Sequence, residues 1–325
     1  MKNLGFVKDI VGTKENVNYH IYEAENGVYV RDIVIDAGIG TEVTVGVVGD
    51  LHYNYCNEQD FEEKNPAVMS SYENRVWLAG GESVPKAALV LETISDCDQM
   101  VVVGDTIDYL THGAIELTKR EIFEKYPNVL ITIGGHDVTR RMQGKIDDDS
   151  TLESRFEILQ SFWVHDIFYT SKLLKDKVLC IVMSNCHGTF TENQIEPLKR
   201  DIELAREKGY KVLFFFHEPI CTYNPKEIEV TKEMALLVGD PSSYPKNFHS
   251  GVGCGDKGSE ANKTVYNLIT KNADVVKGVF VGHKHSDFTL EILGENPDGT
   301  PAIIPQFVGT ASIYSGGHIM RVKVK

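Results

Sequence analysis

Asp50 and His52 stand one residue apart directly after the apolar run VTVGVV, and His283 and His285 repeat that spacing after GVFV. Three further clusters follow the same rule. Gly104-Asp105-Thr106-Ile107-Asp108 comes after MVVV, Gly134-Gly135-His136-Asp137 after VLITI, and His217-Glu218 after VLFFF. Carboxylates and imidazoles bind Mn, Fe and Zn ions, and a histidine beside an aspartate can move a proton. One such cluster is ordinary: a Gly-Asp pair makes turns, and a lone histidine is commonly a hydrogen-bonded structural residue. Five clusters of the same composition, each at the end of a short apolar run, point to one shared site.

Something must bring these ends together. Short apolar runs rich in β-branched residues recur at VTVGVV, MVVV, VLITI, VLCIVM, VLFFF and GVFV, and predict six buried strands. Between them PKAALVLETISDC, AIELTKREIFEKY, LESRFEILQSFW and QIEPLKRDIELAREKG place apolar residues at helical spacing. The pattern is α/β. Loops leaving the carboxyl ends of parallel strands converge on one edge of a sheet, where ligands bind. At a turning strand end, Asp50 and His52, or His283 and His285, can both reach a metal. Residues 17–35 alternate around Asn26-Gly27 and predict a hairpin, so residues 1–40 read as an N-terminal β-hairpin extension and 41–325 as one catalytic domain. Thr191 and Gln194 have capping-box spacing, with Pro197 leaving the start of the next helix open.

Composition narrows the function. The 325 residues carry a formal net charge of -14, which argues against general nucleic-acid binding. No run approaches the ~20 apolar residues of a membrane span, and the first residues lack a secretory apolar core, so a cytoplasmic protein is expected. Six cysteines are scattered without zinc-knuckle spacing or disulfide-scaffold density and are expected to be reduced.

Taken in order, D-x-H, G-D-x-x-D, G-x-H-D, an isolated histidine and G-H-x-H resemble the calcineurin-like metallophosphoesterases over about residues 44–315. The resemblance implies a four-layer β-sandwich flanked by helices, with a two-metal centre at one edge. It implies Asp50, His52 and His285 on the first metal, Asp105 as a bridge, and His217 and His283 on the second. The ions would be divalent or trivalent, Mn, Fe, Zn or similar. One departure stands out: the family's third motif carries an asparagine ligand where this chain has Gly135, which brings no side chain to the second metal.

Other features resemble particular branches. Purple acid phosphatases have a tyrosine where Asp108 stands and lack His52. Ser/Thr protein phosphatases continue the second motif with Arg-Gly, whereas Tyr109 and Leu110 follow here. SNCHGTFTENQ looks like the small-molecule branch, which includes cyclic-nucleotide and glycerophosphodiester hydrolases. The expectation is hydrolysis of a small phosphomonoester or phosphodiester by a metal-bridging hydroxide, with His136, oriented by Asp108, as the catalytic pair. The rival expectation is a metal-binding or interaction scaffold that lost turnover with the asparagine. An unrelated amidohydrolase barrel fits the motif order poorly. His187, Arg140 and His112 are candidate substrate-lining residues, and Cys186 beside His187 is a weak candidate nucleophile. The glycine-rich SGVGCGDKGS at 250–259 lacks the Gly-Lys-Ser/Thr of a phosphate loop and reads as a loop bordering the pocket.

Overall fold

Among the described residues, twelve strands form two six-stranded sheets, with helices on their outer faces. The computed structural model describes residues 17–24, 26–63, 83–139, 151–220, 259–285, 287–313 and 317–325. The first sheet has the order β1 (Val17–Glu23), β2 (Tyr29–Ile35), β12 (His318–Val324), β3 (Val43–Val48), β4 (Gln99–Val103), β5 (Leu130–Thr132). The second has the order β10 (Phe288–Glu295), β11 (Pro301–Val308), β9 (Val276–Val281), β8 (Lys211–Phe215), β7 (Val178–Met183), β6 (Tyr169–Leu174). All six apolar runs are strands.

The hairpin forms around Asn26-Gly27, with Val17 opposite Ile35 and Glu23 opposite Tyr29. Sequence reading set it apart as an extension. The structure pairs β2 with β12, Val30 opposite Ile319, so the hairpin is the outer edge of the first sheet. β12 is antiparallel to β3, while β3, β4 and β5 run parallel. In the second sheet β7, β8 and β9 are parallel. The carboxyl ends of β3, β4 and β5 therefore share one edge, and those of β8 and β9 meet them from the other sheet.

Alternate residues on each strand divide the core into three layers. Val45, Val47, Val101 and Val103 of the first sheet pack against Cys180, Val182, Leu213 and Phe215 of the second. Phe280 is stacked between Phe215 and Phe307, with ring centroids 5.3 and 5.1 Å away. Each such fully buried side chain contributes about 1.5–3 kcal/mol of apolar burial. Outside the first sheet lie α2 (Ser83–Thr93), α3 (His112–Thr118) and α4 (Leu152–Phe162), through Val90, Leu91, Leu117 and Leu159. Outside the second lie α5 (Ile195–Lys208) and α6 (Glu260–Thr270), through Leu198, Ile202, Val265 and Ile269. A short α1 (Glu58–Glu62) precedes them.

Local rules explain the helix ends. Thr191 and Gln194 form the capping box, on a 3-10 turn at Glu192–Gln194 that leads into α5. Pro197 is the third residue of α5, where a first-turn amide has no carbonyl to bond, so it does not interrupt the helix. Gly209 ends α5 at φ 75, the left-handed closure that glycine adopts without cost. α3 runs directly into a π-helical turn at Lys119–Phe123. Among the described residues no helix is long and apolar enough to cross a membrane.

Candidate metal centre

The five strand ends meet. Ligand atoms of Asp50, His52 and His285 lie within 4.8 Å of one another, as do those of Asp105, His217 and His283, and those of His52, Asp105 and His136. Asp50, His52, Asp105, Asp108 and His217 are buried, while His136, His283 and His285 are half-buried, so the cluster opens toward solvent on one side.

The backbone aims these residues. Among the described residues eight non-glycine residues have positive φ, and six of them are Asp50, His52, Asp105, His187, His283 and His285. A left-handed residue is uncommon outside glycine and costs on the order of 1–3 kcal/mol, which the packed sheets must offset. The gain is direction: Asp50 and His52 turn together into one ligand grouping, while His283 and His285, which the spacing alone would pair, enter two neighbouring ones. The other two, Lys175 and Asp176, make the tight turn between β6 and β7.

In the first grouping, His285 Nε2 is 3.1 Å from Asp50 Oδ1 and 3.2 Å from His52 Nε2. His52 Nε2 is 3.9 Å from the same Asp50 oxygen. In the second, His217 Nε2 is 3.1 Å from Asp105 Oδ2 and 3.2 Å from His283 Nδ1. Ligands bonded at about 2.0–2.1 Å around one tetrahedral or octahedral ion stand roughly 2.8–3.4 Å apart, so most of these separations are those of a coordination shell. The donor set agrees. His217 Nδ1 lies 2.8 Å from the Val103 carbonyl, and donating there leaves Nε2 to meet a carboxylate and an imidazole. Such a ring of lone pairs needs a positive charge at its centre, and a cation fits it.

Without a cation, protons do that work. Burial alone would lower the His217 pKa, but the charge and hydrogen bond of Asp105 override it and raise it to about 10. Burial likewise opposes ionisation of Asp105 and Asp50. Even so, His217 and His136 hold Asp105 well below the ordinary carboxylate value, and His285 lowers Asp50. Burial lowers the pKa of His52, against the pull of its bond to Asp108.

Asp108 lies behind two imidazoles. Its Oδ1 is 3.0 Å from His52 Nδ1 and 3.0 Å from His136 Nδ1, which also meets the Asp108 main-chain carbonyl at 3.1 Å, and Asn54 Nδ2 donates to its Oδ2 at 3.1 Å. The His136 backbone amide donates to Asp105 Oδ1 at 2.9 Å. His136 is thus fixed at both its amide and its ring.

Two glycines are demanded by space. A Cβ on Gly134 would stand 2.2 Å from Asp105 Oδ1, and one on Gly282 would stand 2.4 Å from Asp50 Oδ2. Sequence reading gave no role to Asp137, Asn54 or Asn185. Asp137 accepts from the Ile107 and Gly134 amides at 2.7 Å each, tying the second motif to the third; burial and the nearby Asp105 raise its pKa to about 7. Asn185 Oδ1 accepts from the amides of His217 and Glu218 at 3.1 and 2.9 Å. The signal for Asp137 was its fixed place after His136, whereas Asn185 carried none beyond its strand-end position.

The remaining candidates divide. His187 is exposed and lies beside Gly135. His112 begins α3 and meets Glu63, Nε2 to Oε1 2.9 Å, and belongs to none of the three ligand groupings. Arg140 and residues 250–258 lie outside the described residues. Cys186 is buried, which pushes its thiol well above the ordinary value, so it does not offer a thiolate nucleophile. His165 accepts from the Ile131 amide, and His318 pairs with Asp287 and stacks on Tyr29, all structural contacts.

The model of the calcineurin-like phosphoesterase family matches residues 43–287. The chain belongs to that family. As a calcineurin-like phosphoesterase it is a metal-dependent hydrolase of phosphoester bonds. A curated relative, "Probable cyclic nucleotide phosphodiesterase" of Fibrobacter succinogenes, is 23% identical over 223 residues, 69% of this chain and 71% of the relative. Among solved structures, a dimetal phosphatase from Danio rerio aligns with 84% of this chain and 88% of its own, at 13% identity and TM-score 0.41. PhoD aligns over 92% of this chain and 63% of its own, at 10% identity and TM-score 0.45.

Proposed function

We propose that this phosphoesterase hydrolyses a phosphodiester or phosphomonoester of a small molecule at a dinuclear centre. Asp50, His52 and His285 hold one cation, His217 and His283 the other, and Asp105 bridges them. The observation that carries this reading is the double membership of Asp105. Its ligand atoms converge with those of His217 and His283 in one grouping and with those of His52 and His136 in another, and His52 also belongs to the grouping of Asp50 and His285. A carboxylate that meets ligands from both sides of the cluster is what a bridge requires.

Two cations held about 3.5–4 Å apart would supply activated water and a clamp on the phosphoryl oxygens. The chain's own residues do the rest. Asp108 holds the His136 ring through Nδ1, which leaves Nε2 to give a proton to the departing oxygen or to steady charge on the phosphoryl group. The half-buried His136, His283 and His285 form the open side of the site, where a substrate enters.

The name of the Fibrobacter relative makes cyclic nucleotides the first diesters to try. The net charge of -14 favours a small substrate over a polynucleotide track. The test is metal analysis of the purified protein, followed by assays of bis-p-nitrophenyl phosphate, its monoester and cyclic nucleotides with Mn, Fe, Zn, Co and Ni. Turnover with two cations bound supports the reading. A stable, metal-loaded protein inert toward all of them would favour the scaffold, a reading that rests on Gly135 bringing no ligand.

A further inference from the structure

We infer that His187 replaces the ligand missing at Gly135, bringing its imidazole to the second cation from a different strand end. The inference rests on the dinuclear reading above. It starts from a complementarity between two residues far apart in sequence. An ideal Cβ on Gly135 would stand 3.3 Å from Cε1 and 3.4 Å from Nδ1 of His187, so the imidazole fills the space that a side chain at 135 would enter. Gly135 has φ -64, a conformation open to any residue, so its glycine is not explained by the backbone. The neighbouring ring crowds any side chain placed there.

The turn carrying His187 is fixed on both sides of the second ligand grouping. Asn185 holds the amides of His217 and Glu218, Cys186 Sγ contacts the Gly134 carbonyl at 3.4 Å, and the Gly188 carbonyl accepts from Asn262 Nδ2 at 3.1 Å. Gly134, next to Gly135, lies against Asp105 and His217, two members of that grouping. His187 also has φ 55, the left-handed conformation of Asp50, His52, Asp105, His283 and His285. Apart from the turn residues Lys175 and Asp176, the other non-glycine residues with this backbone among the described residues belong to the ligand groupings. The ring is exposed, and among the described residues no hydrogen bond holds it. Side-chain rotation must carry a nitrogen from its place beside Gly135 to the second cation, and imidazole suits the same Mn, Fe, Zn and Co ions as the neighbouring histidines.

The test uses the full chain, stripped with a chelator and titrated with Co(II), read by calorimetry and by the Co(II) visible spectrum. Wild type should take two cations. H187A should keep the first and weaken the second by at least about 10-fold, with a changed spectrum for that ion. H187G removes the imidazole while relieving the left-handed backbone, so the same loss there separates a missing ligand from misfolding. Adding Gly135→Asn to H187A should recover most of the affinity. Two cations bound by H187A and H187G with wild-type affinity and spectrum would overturn the role of His187 and leave the dinuclear reading standing. A wild-type protein that takes only one cation would overturn both.

Discussion

Nδ1 of His136 lies 3.0 Å from Oδ1 of Asp108, a buried carboxylate oxygen that His52 Nδ1 also approaches to 3.0 Å. One aspartate therefore orients the proposed proton donor, His136, and a proposed metal ligand, His52, together. Replacing His136 by Ala should lower turnover by about 10²–10⁴-fold while metal content holds. Asp108→Asn should do both: lower turnover and weaken cation binding by about 10–100-fold, because His52 loses its orienting partner. Metal analysis of the two variants beside their rates decides. Equal loss of metal from H136A would make His136 a ligand.

Gly134 and Gly282 separate the two halves of the centre. A methyl at 134 presses on Asp105 and on the His217 ring, and one at 282 on Asp50. G134A should impair the grouping of His217 and His283, and G282A that of His52 and His285. Cation titrations should show the weaker step changing identity between the variants, with turnover falling in each. Wild-type titrations for either would contradict the packing described.

The pH dependence of the metal-free protein follows from His217. A histidine raised from its ordinary 6.5 to about 10 stabilises the fold fully below 6.5, and that contribution fades as pH climbs toward 10. Asp50 and Asp105, lowered from 3.8, stabilise above that value and lose their contribution as pH falls through their depressed pKa values. The urea midpoint of the chelated protein should be high between about pH 4 and 6.5 and decline on the alkaline side. Cation binding at pH 8 should release about one proton from His217, read by calorimetry in buffers of different ionisation enthalpy. A midpoint flat from pH 6.5 to 10 and no proton release would refute the protonation described.

Phe280 is a position where stability and chemistry come apart. It is fully buried between Phe215 and Phe307, near the middle of the contact between sheets. Phe280→Ala should cost about 3–5 kcal/mol in denaturant unfolding. Activity per folded molecule should change less than in H136A, because the ring touches core and not the ligands.

Much of the site was legible because its chemistry is local. Asp50, Asp105, His136, His217 and His283 each follow an apolar run, and the strand periodicity put each at a carboxyl end. What could not be read was the backbone sign at those residues. Nothing in Asp50-Leu51-His52 announces two left-handed residues, which only the opposing loops impose. β6, β10, β11, β12 and α6 also went unassigned. HIMRVKV alternates weakly, and its neighbours, β2 and β3, lie nearly the whole chain away. Pro197 was misleading for a smaller reason: its effect depends on which turn of α5 it occupies, and that is set by the capping box upstream.

Because β12 lies between β2 and β3, the first sheet closes only after His318–Val324 has left the ribosome, long after both of its neighbours. Until residue 324 emerges, the hairpin has no rail to dock on, and the flank of β3 that bears Val45 and Val47 stays open to foreign strands. Synthesis itself thus sets a waiting time, during which a half-built sheet depends on its cellular surroundings.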